Sequence, residues 1–151
     1  MIALDIAAIV IALLALVLSL VQFMRESSRE KKASTIDAFY NLQNDVFDPL
    51  NKLLIDEHVD MSKLTIGSED WRKVTNALAK IEHFSVGINT GVFSLQILNR
   101  VAGAYYIRIF YDLKPVIDQK RKQNISNGKH YHEFEQTVIH LKKMERGRLR
   151  K

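Results

Sequence analysis

The chain has 151 residues with 22 lysines and arginines, 17 acidic residues and a formal net charge of +5, and it contains no cysteine. The missing cysteines exclude disulfide frameworks, thiol nucleophiles and thiolate metal sites. Two prolines and six glycines are present, a low content that is typical of helical proteins. We therefore expect an all-α fold, with one N-terminal transmembrane helix followed by a cytoplasmic bundle of four to five helices.

The first predicted segment, residues 1–24, is a transmembrane anchor. Ile6 to Met24 comprises 19 residues without a charge, and at about 1.5 Å per residue such a helix matches the hydrocarbon thickness of a bilayer. A cleaved signal peptide is disfavoured because the start of the chain is acidic and no small-residue cleavage site follows the apolar stretch. A buried helix of a soluble protein is the other interpretation.

The charges on either side of this span predict its orientation. Asp5 is the one charged side chain before it, whereas the basic juxtamembrane segment 25–32 carries four basic and two acidic residues. Because basic flanks stay in the cytoplasm, we expect a single-pass protein of the bacterial inner membrane with its amino terminus outside. The basic tail, residues 146–151, is either a solvated end or a contact for an anionic surface such as lipid headgroups.

Small and polar residues of the span share one side of the predicted helix. Their spacing alternates between three and four residues, and at 100° per residue they fall within an arc of about 100°. Helices associate in lipid through small residues and hydrogen bonds, and a seven-residue repeat gives left-handed packing. We interpret this face as a homo-oligomer interface, with a chance arrangement as the alternative. The seam comprises Asp5, Ala8, Ala12, Ala15, Ser19 and Gln22.

A helical domain is expected over residues 33–145. Apolar residues recur at helical spacing from Ile36 to Leu54. Asp48 and Pro49 can act as an N-cap and a first-turn proline, so this helix is predicted to break or kink there.

A loop over 56–69 leads to a second helix, which Ser68 or Asp70 can cap and which ends near GINTG (87–91). A third helix runs from about 94 to 114, where Pro115 is expected to kink or restart it. The inner face of the second helix is Trp71, Val74, Leu78, Ile81, Ser85 and Ile88. The inner face of the third is Leu98, Val101, Ala102, Tyr105, Ile109 and Leu113.

A turn at 124–128 precedes the last predicted helix, about 130–145. That helix repeats apolar residues every three or four positions. Its inner face is Tyr131, Phe134, Val138, Leu141 and Met144.

Two stretches resemble a family of small, single-span bacterial membrane proteins of unknown function, DUF4760. These are AKIEHFSVGINTGVFSLQILNRVAGAYYIRIFYDLKPVIDQKR and YHEFEQTVIHL, and the resemblance covers about 70–141. The family pattern falls on Ile81-Glu82, Gly87, Gly91, Lys120–Lys122 and Tyr131–Phe134. The resemblance implies the fold and the membrane topology, and it implies no activity.

Catalysis and metal binding are not predicted. His132-Glu133 begins like the zinc-protease motif HExxH, but position 136 is glutamine, so the second ligand is missing. The chain has no GxSxG elbow, Walker loop or dinucleotide fingerprint. We expect no enzyme, no catalytic residue, no metal and no cofactor; the alternative of an enzyme needs a catalytic group that the sequence does not display.

Anion binding has more support. Arg100 and Arg108 are eight residues apart, about 12 Å along one helix, and Tyr111 and Lys114 continue toward the same side. Arginine forks bind phosphate and tyrosine can stack on a base. An ordinary exposed face and a protein interface are the alternatives. The candidate ligand-binding set is Asn99, Arg100, Arg108, Tyr111 and Lys114.

These features predict a membrane-anchored oligomeric effector or sensor whose cytoplasmic domain binds an anionic signal and acts on the membrane. The layout is similar to that of CRISPR-associated membrane effectors in anti-phage defence, which suggests a cyclic oligonucleotide as the ligand. The expected partners are further copies of the chain, the lipid bilayer and a nucleotide second messenger, and no long nucleic acid. The alternative is a passive membrane tether or scaffold that binds a protein partner.

Overall fold

The computed structural model describes the backbone of residues 2–123 and 129–148, and the side chains of residues 11–123 and 129–147. All regular structure in these ranges is helical, which confirms the all-α prediction. The α-helices are α1 (Ile2–Leu42), α2 (Asp48–Asn51), α3 (Glu69–Asn89), α4 (Leu95–Gln123) and α5 (His132–Arg148). Shorter elements are π-helical at Gln43–Phe47 and Lys52–Asp56 and 3₁₀-helical at Met61–Lys63.

α1 is long and apolar enough near the amino terminus to cross a membrane. Every side chain from Ile11 to Glu30 is exposed. Further along the helix, the side chains of Thr35, Phe39 and Leu42 are buried in the helical bundle. One helix therefore carries both a segment that can span a bilayer and a segment that belongs to a protein core.

A break or kink was predicted at Asp48 and Pro49; the helix does not break there and Asp48 is not an N-cap, but the hydrogen bonding of the helix changes on both sides of Pro49. Asp48 has helical dihedral angles of φ −65° and ψ −46°, and helical geometry continues from α1 to Asp56. The amide of Asp48 donates to the carbonyl of Gln43, five residues earlier, and that of Glu57 donates to Lys52. Proline lacks an amide donor, and these wider π-helical turns on either side of it let the chain continue without a new start.

α3 matches its prediction closely. Ser68 is the N-cap, and its hydroxyl accepts a hydrogen bond from the Trp71 amide at 3.1 Å. The helix ends in GINTG, where Gly91 adopts φ +82°, a conformation that glycine tolerates best. Its six predicted inner residues are all buried.

α4 differs from its prediction at two places. It passes Pro115 without restarting, and the one residue with non-helical angles between Leu95 and Gln123 is Ala102, at φ −153° and ψ 18°. Val101, next to it, is 55% exposed although an inner position was predicted, and Tyr106 is the fully buried tyrosine. The predicted inner positions Leu98, Ile109 and Leu113 are buried, so the prediction fails beside Ala102 and holds on either side of it.

Tyr106 lies at the centre of the bundle. Its ring makes edge-on contacts with Phe47 and Phe134, with centroids 6.1 and 5.0 Å apart. These contacts connect α4 to the segment that follows α1 and to α5, and buried aromatic rings of this size dominate core energetics. The predicted inner face of α5 is confirmed, with Met144 half-buried and the other four residues buried. The turn predicted at 124–128 lies outside the described residues.

Candidate functional site

Thr35 fixes α1 to the bundle. Its side chain is fully buried, and its hydroxyl donates to the Lys31 carbonyl at 2.6 Å and accepts from the Ser94 amide at 2.8 Å. Phe39, one turn further, packs against Phe84 of α3 with ring centroids 6.3 Å apart. α1 is therefore held from two sides where it enters the bundle.

The residues that carry the family resemblance meet at the start of α5. The carboxylate of Glu82 accepts hydrogen bonds from the amides of Glu133 and Phe134, at 3.1 and 2.8 Å. Asn89 donates to the carbonyl and the carboxylate of Glu133, at 2.9 and 2.8 Å. The first amides of a helix have no partner within the helix and favour negative charge. Glu82 thus acts as a cap supplied by α3, and the motif is structural.

Arg121, within the basic stretch of the resemblance, also has a structural role. Its Nε donates to the His130 carbonyl at 2.9 Å, and its Nη2 forms an ion pair with Glu135 at 2.9 Å. These bonds tie the end of α4 to the beginning of α5. Among the described residues, histidine and acidic side chains form no group of three that could hold a metal.

The predicted membrane seam is open on the surface of α1. The side chains of Ala12, Ala15, Ser19 and Gln22 are all exposed. The hydroxyl of Ser19 donates to the Ala15 carbonyl of its own helix at 2.9 Å. The Ser19 hydroxyl therefore has its hydrogen-bond acceptor within its own helix. The side chains of Asp5 and Ala8 lie outside the described residues.

The predicted ligand-binding set does not form one surface. Asn99 is 7% exposed, and its Nδ2 has no hydrogen-bond partner among the described residues. A Cβ atom at Gly103 would lie 2.6 Å from the Asn99 Oδ1, so glycine permits this close approach. Arg100 is exposed, and the non-helical Ala102 lies between it and Arg108 along α4.

Arg108 is partly engaged by neighbouring side chains. Its guanidinium lies 5.0 Å from the ring centroid of Tyr105, and its Nε is 4.0 Å from the Asp112 carboxylate. The Arg108 side chain is 57% exposed, so solvent screens the weak pairing with Asp112. Arg108 therefore keeps part of its capacity to bind an anion.

Tyr111 and Lys114 are brought together. They line a shallow depression of about 610 Å³ with Ser62, Asp118 and Lys122. Both oxygens of Asp118 accept from the Lys114 ammonium at 3.1 Å. The depression therefore has mixed charge with an excess of cations.

Lys142 of α5 is the functional candidate that the sequence did not reveal. Its ammonium donates to the Tyr111 hydroxyl at 2.7 Å and lies 5.2 Å from the centroid of that ring. The contact joins residues 31 positions apart. The sequence predicts that Leu141 faces the core, but it does not indicate which residue of another helix the following Lys142 contacts.

A second concave region lies between the π-helical segments and α3. It has a volume of about 330 Å³, and Asp45, Lys52, Glu57 and Lys80 stand around an apolar floor that includes Leu50. Charges of both signs at its rim suit a polypeptide better than a compact anion.

Comparison with known proteins identifies a family without a known activity. The family model described as a domain of unknown function, DUF4760, matches residues 9–141. No curated protein and no solved structure matches the chain. The match extends from the apolar part of α1 through most of α5 and covers 133 of the 151 residues. The chain therefore belongs to the DUF4760 family.

Proposed function

We propose that this protein is a membrane-anchored, self-associating effector or sensor. An anionic signal binds the helical bundle, and the bundle changes the packing of the associated membrane helices. The observation that carries this proposal is the continuity of α1, which runs from Ile2 to Leu42 and is held by the Thr35–Ser94 hydrogen bond. A helix anchored in this way transmits a displacement that a flexible linker would absorb.

The proposed topology places the amino terminus outside the bacterial inner membrane and the bundle in the cytoplasm. Arg25 and Arg29 are exposed on α1 directly after the apolar span, and Lys31 and Lys32 follow. Basic residues this close to a span favour the cytoplasmic side.

The proposed ligand surface is the depression lined by α4 residues and Ser62, together with Lys142 of α5, which contacts Tyr111 at its edge. Lys114, Lys122 and Lys142 provide cations, and Tyr111 is 48% exposed beside them. Lysine binds phosphate, and an exposed tyrosine ring can stack on a base. A symmetric oligomer would repeat this surface, which suits a symmetric, multiply charged ligand such as a cyclic oligonucleotide. A role in anti-phage defence fits this combination of anchor and ligand.

Isothermal titration of the detergent-solubilised protein with a cyclic oligoadenylate tests the proposal. We expect saturable binding that weakens at least tenfold in Lys114→Glu/Lys142→Glu, because two phosphate contacts become repulsive. Arg72→Glu is the matched control, since Arg72 is exposed on α3 and lines neither concave region. Equal affinity in the double variant and the control would show that the ligand surface is misplaced, and no binding at all would contradict the proposed signal.

The second candidate function is a passive membrane tether or scaffold. It is favoured by the pairing of Lys114 with Asp118 and by the mixed charge around the 330 Å³ region. In that case the oligoadenylate does not bind, and supplying it to cells that express the protein leaves the membrane potential unchanged. Depolarisation on addition of the nucleotide would support the effector instead.

A further inference from the structure

The spacing of the membrane seam continues far beyond the apolar span. Ala12, Ala15, Ser19 and Gln22 follow the three-four alternation of a seven-residue repeat. α1 has no break before Leu42, so positions that keep this alternation remain on one stripe of the helix. The stripe continues through Glu26, Arg29, Ala33, Ile36 and Tyr40.

The last two apolar residues of this stripe have no partner in the bundle. Ile36 is 48% exposed and Tyr40 is 63% exposed. Their neighbours Thr35 and Phe39 are buried, so below the span α1 presents one face to its own bundle and leaves an adjacent face open. Both residues belong to the apolar pattern of the sequence, and the structure places them outside the core.

The charged residues beside the stripe are complementary for a second copy of α1. In a parallel pair of helices with this repeat, a residue flanking the seam meets the residue five positions later in the partner. Arg25 then meets Glu30, and Lys32 meets Asp37. All four side chains are exposed, and none of them forms an ion pair within the described part of the chain.

We propose that α1 of one copy packs in parallel and in register against α1 of a second copy, from the membrane seam down to Tyr40. The Arg25–Glu30 and Lys32–Asp37 pairs connect the two copies below the membrane. This inference rests on the proposed self-association and extends it beyond the bilayer. The parallel orientation follows from the common insertion direction of all copies. On a straight helix the stripe drifts about 20° per heptad, and a left-handed supercoil compensates for this drift and keeps the stripe facing the partner helix.

Disulfide cross-linking in native membranes tests the register. The chain has no cysteine, so a single introduced one reports on one position. Ala33→Cys lies on the stripe. Ser34→Cys is the matched control, because Ser34 is the next residue, is also small and exposed, and lies off the stripe. A disulfide requires Cα atoms within about 7 Å, so we expect covalent dimer from Ala33→Cys to exceed that from Ser34→Cys at least fivefold.

Cross-linking at Ala12→Cys separates this inference from the proposal on which it rests. If Ala12→Cys forms dimer, but Ala33→Cys and Ser34→Cys form equal amounts of dimer or none, the extended interface is overturned and self-association in the membrane stands. No dimer at any of the three positions would overturn both.

A charge reversal in the Ala33→Cys background forms the second arm of the test. Lys32→Glu should reduce the dimer yield severalfold, and adding Asp37→Lys should restore it, because the pair is attractive again in the reversed sense. A yield that does not change with the single reversal, or that stays low in the double one, would contradict the pairing.

Discussion

The two parts of α1 are one continuous helix, but their side chains have different surroundings. Residues 11–30 have exposed side chains throughout, and up to Met24 leucine, isoleucine and valine cover every side except the seam. In the following segment, Thr35, Phe39 and Leu42 are buried on one face of the helix, while Ile36 and Tyr40 on an adjacent face are exposed. A helix that is apolar all around needs lipid or other helices, whereas a striped one needs a single packed partner.

The largest expected effect is a difference in the free energy of unfolding between a substitution in the bundle and one in the apolar part of α1. Phe134→Ala removes a fully buried ring that packs on Tyr106 and Phe110, and we expect it to lower the free energy of unfolding of the bundle by about 3–5 kcal/mol. Leu14→Ala is the control, because Leu14 is 59% exposed in the span and should leave that free energy unchanged. Urea titration of the detergent-solubilised protein, followed by tryptophan fluorescence, measures both. Similar losses in the two variants would contradict the division of α1.

A smaller effect is expected where the two parts join. Thr35→Val keeps the shape of the side chain but leaves the partly buried Ser94 amide without its acceptor, which costs about 1–3 kcal/mol. Hydrogen exchange at the Ser94 amide should accelerate by one order of magnitude or more. Thr75→Val on α3 is the control, since that hydroxyl bonds only to carbonyls of its own helix. Unchanged exchange at Ser94 would show that Thr35 does not hold the joint.

The smallest expected effect is the pH dependence of the free energy of unfolding that Tyr106 causes. It belongs to the bundle alone, because residues 11–24 contain no titratable side chain. Burial raises the pKa of Tyr106 well above its ordinary value, although the hydrogen bond with Ser85 opposes this. A raised folded-state pKa contributes stability that is fully present below the unfolded pKa of about 10 and is lost as pH rises toward the folded value. Above pH 10 the loss approaches about 1.4 kcal/mol per pH unit.

Urea titrations at pH 9, 10 and 11 measure this dependence. Tyr106→Phe removes the titrating group, so its stability should fall less steeply with pH than that of the unchanged protein. Tyr40→Phe is the matched control, because Tyr40 is exposed. Parallel pH profiles for the unchanged protein and Tyr106→Phe would contradict the argument.

Local chemistry explains which parts of the fold were predictable. The Ser68 cap, the end of α3 in GINTG and the buried faces of α3 and α5 follow from hydrogen bonding and periodicity within a few residues. The differences at Pro49 and Ala102 are both local. π-helical turns flank Pro49, and non-helical angles occur at Ala102, while Ile109 and Leu113 further along α4 are buried as predicted.

The candidate site was less predictable than the fold. Tyr111 and Lys114 do line one depression, but Asn99 is buried, and neither Arg100 nor Arg108 lines that depression. The neighbour relation between Lys142 and Tyr111 depends on how α5 lies against α4, which no short stretch of sequence contains.

By itself, the sequence determined that this protein is all-α, that residues up to Met24 form a helix able to span a bilayer, and that a seven-residue repeat runs along it. These properties depend on composition and periodicity. Only the tertiary structure decided that α1 continues into the bundle without a break, that Glu82 caps α5, and that Ile36 and Tyr40 stay exposed. Those outcomes depend on contacts between residues far apart in the chain, where packing and the satisfaction of buried polar groups outweigh local preference.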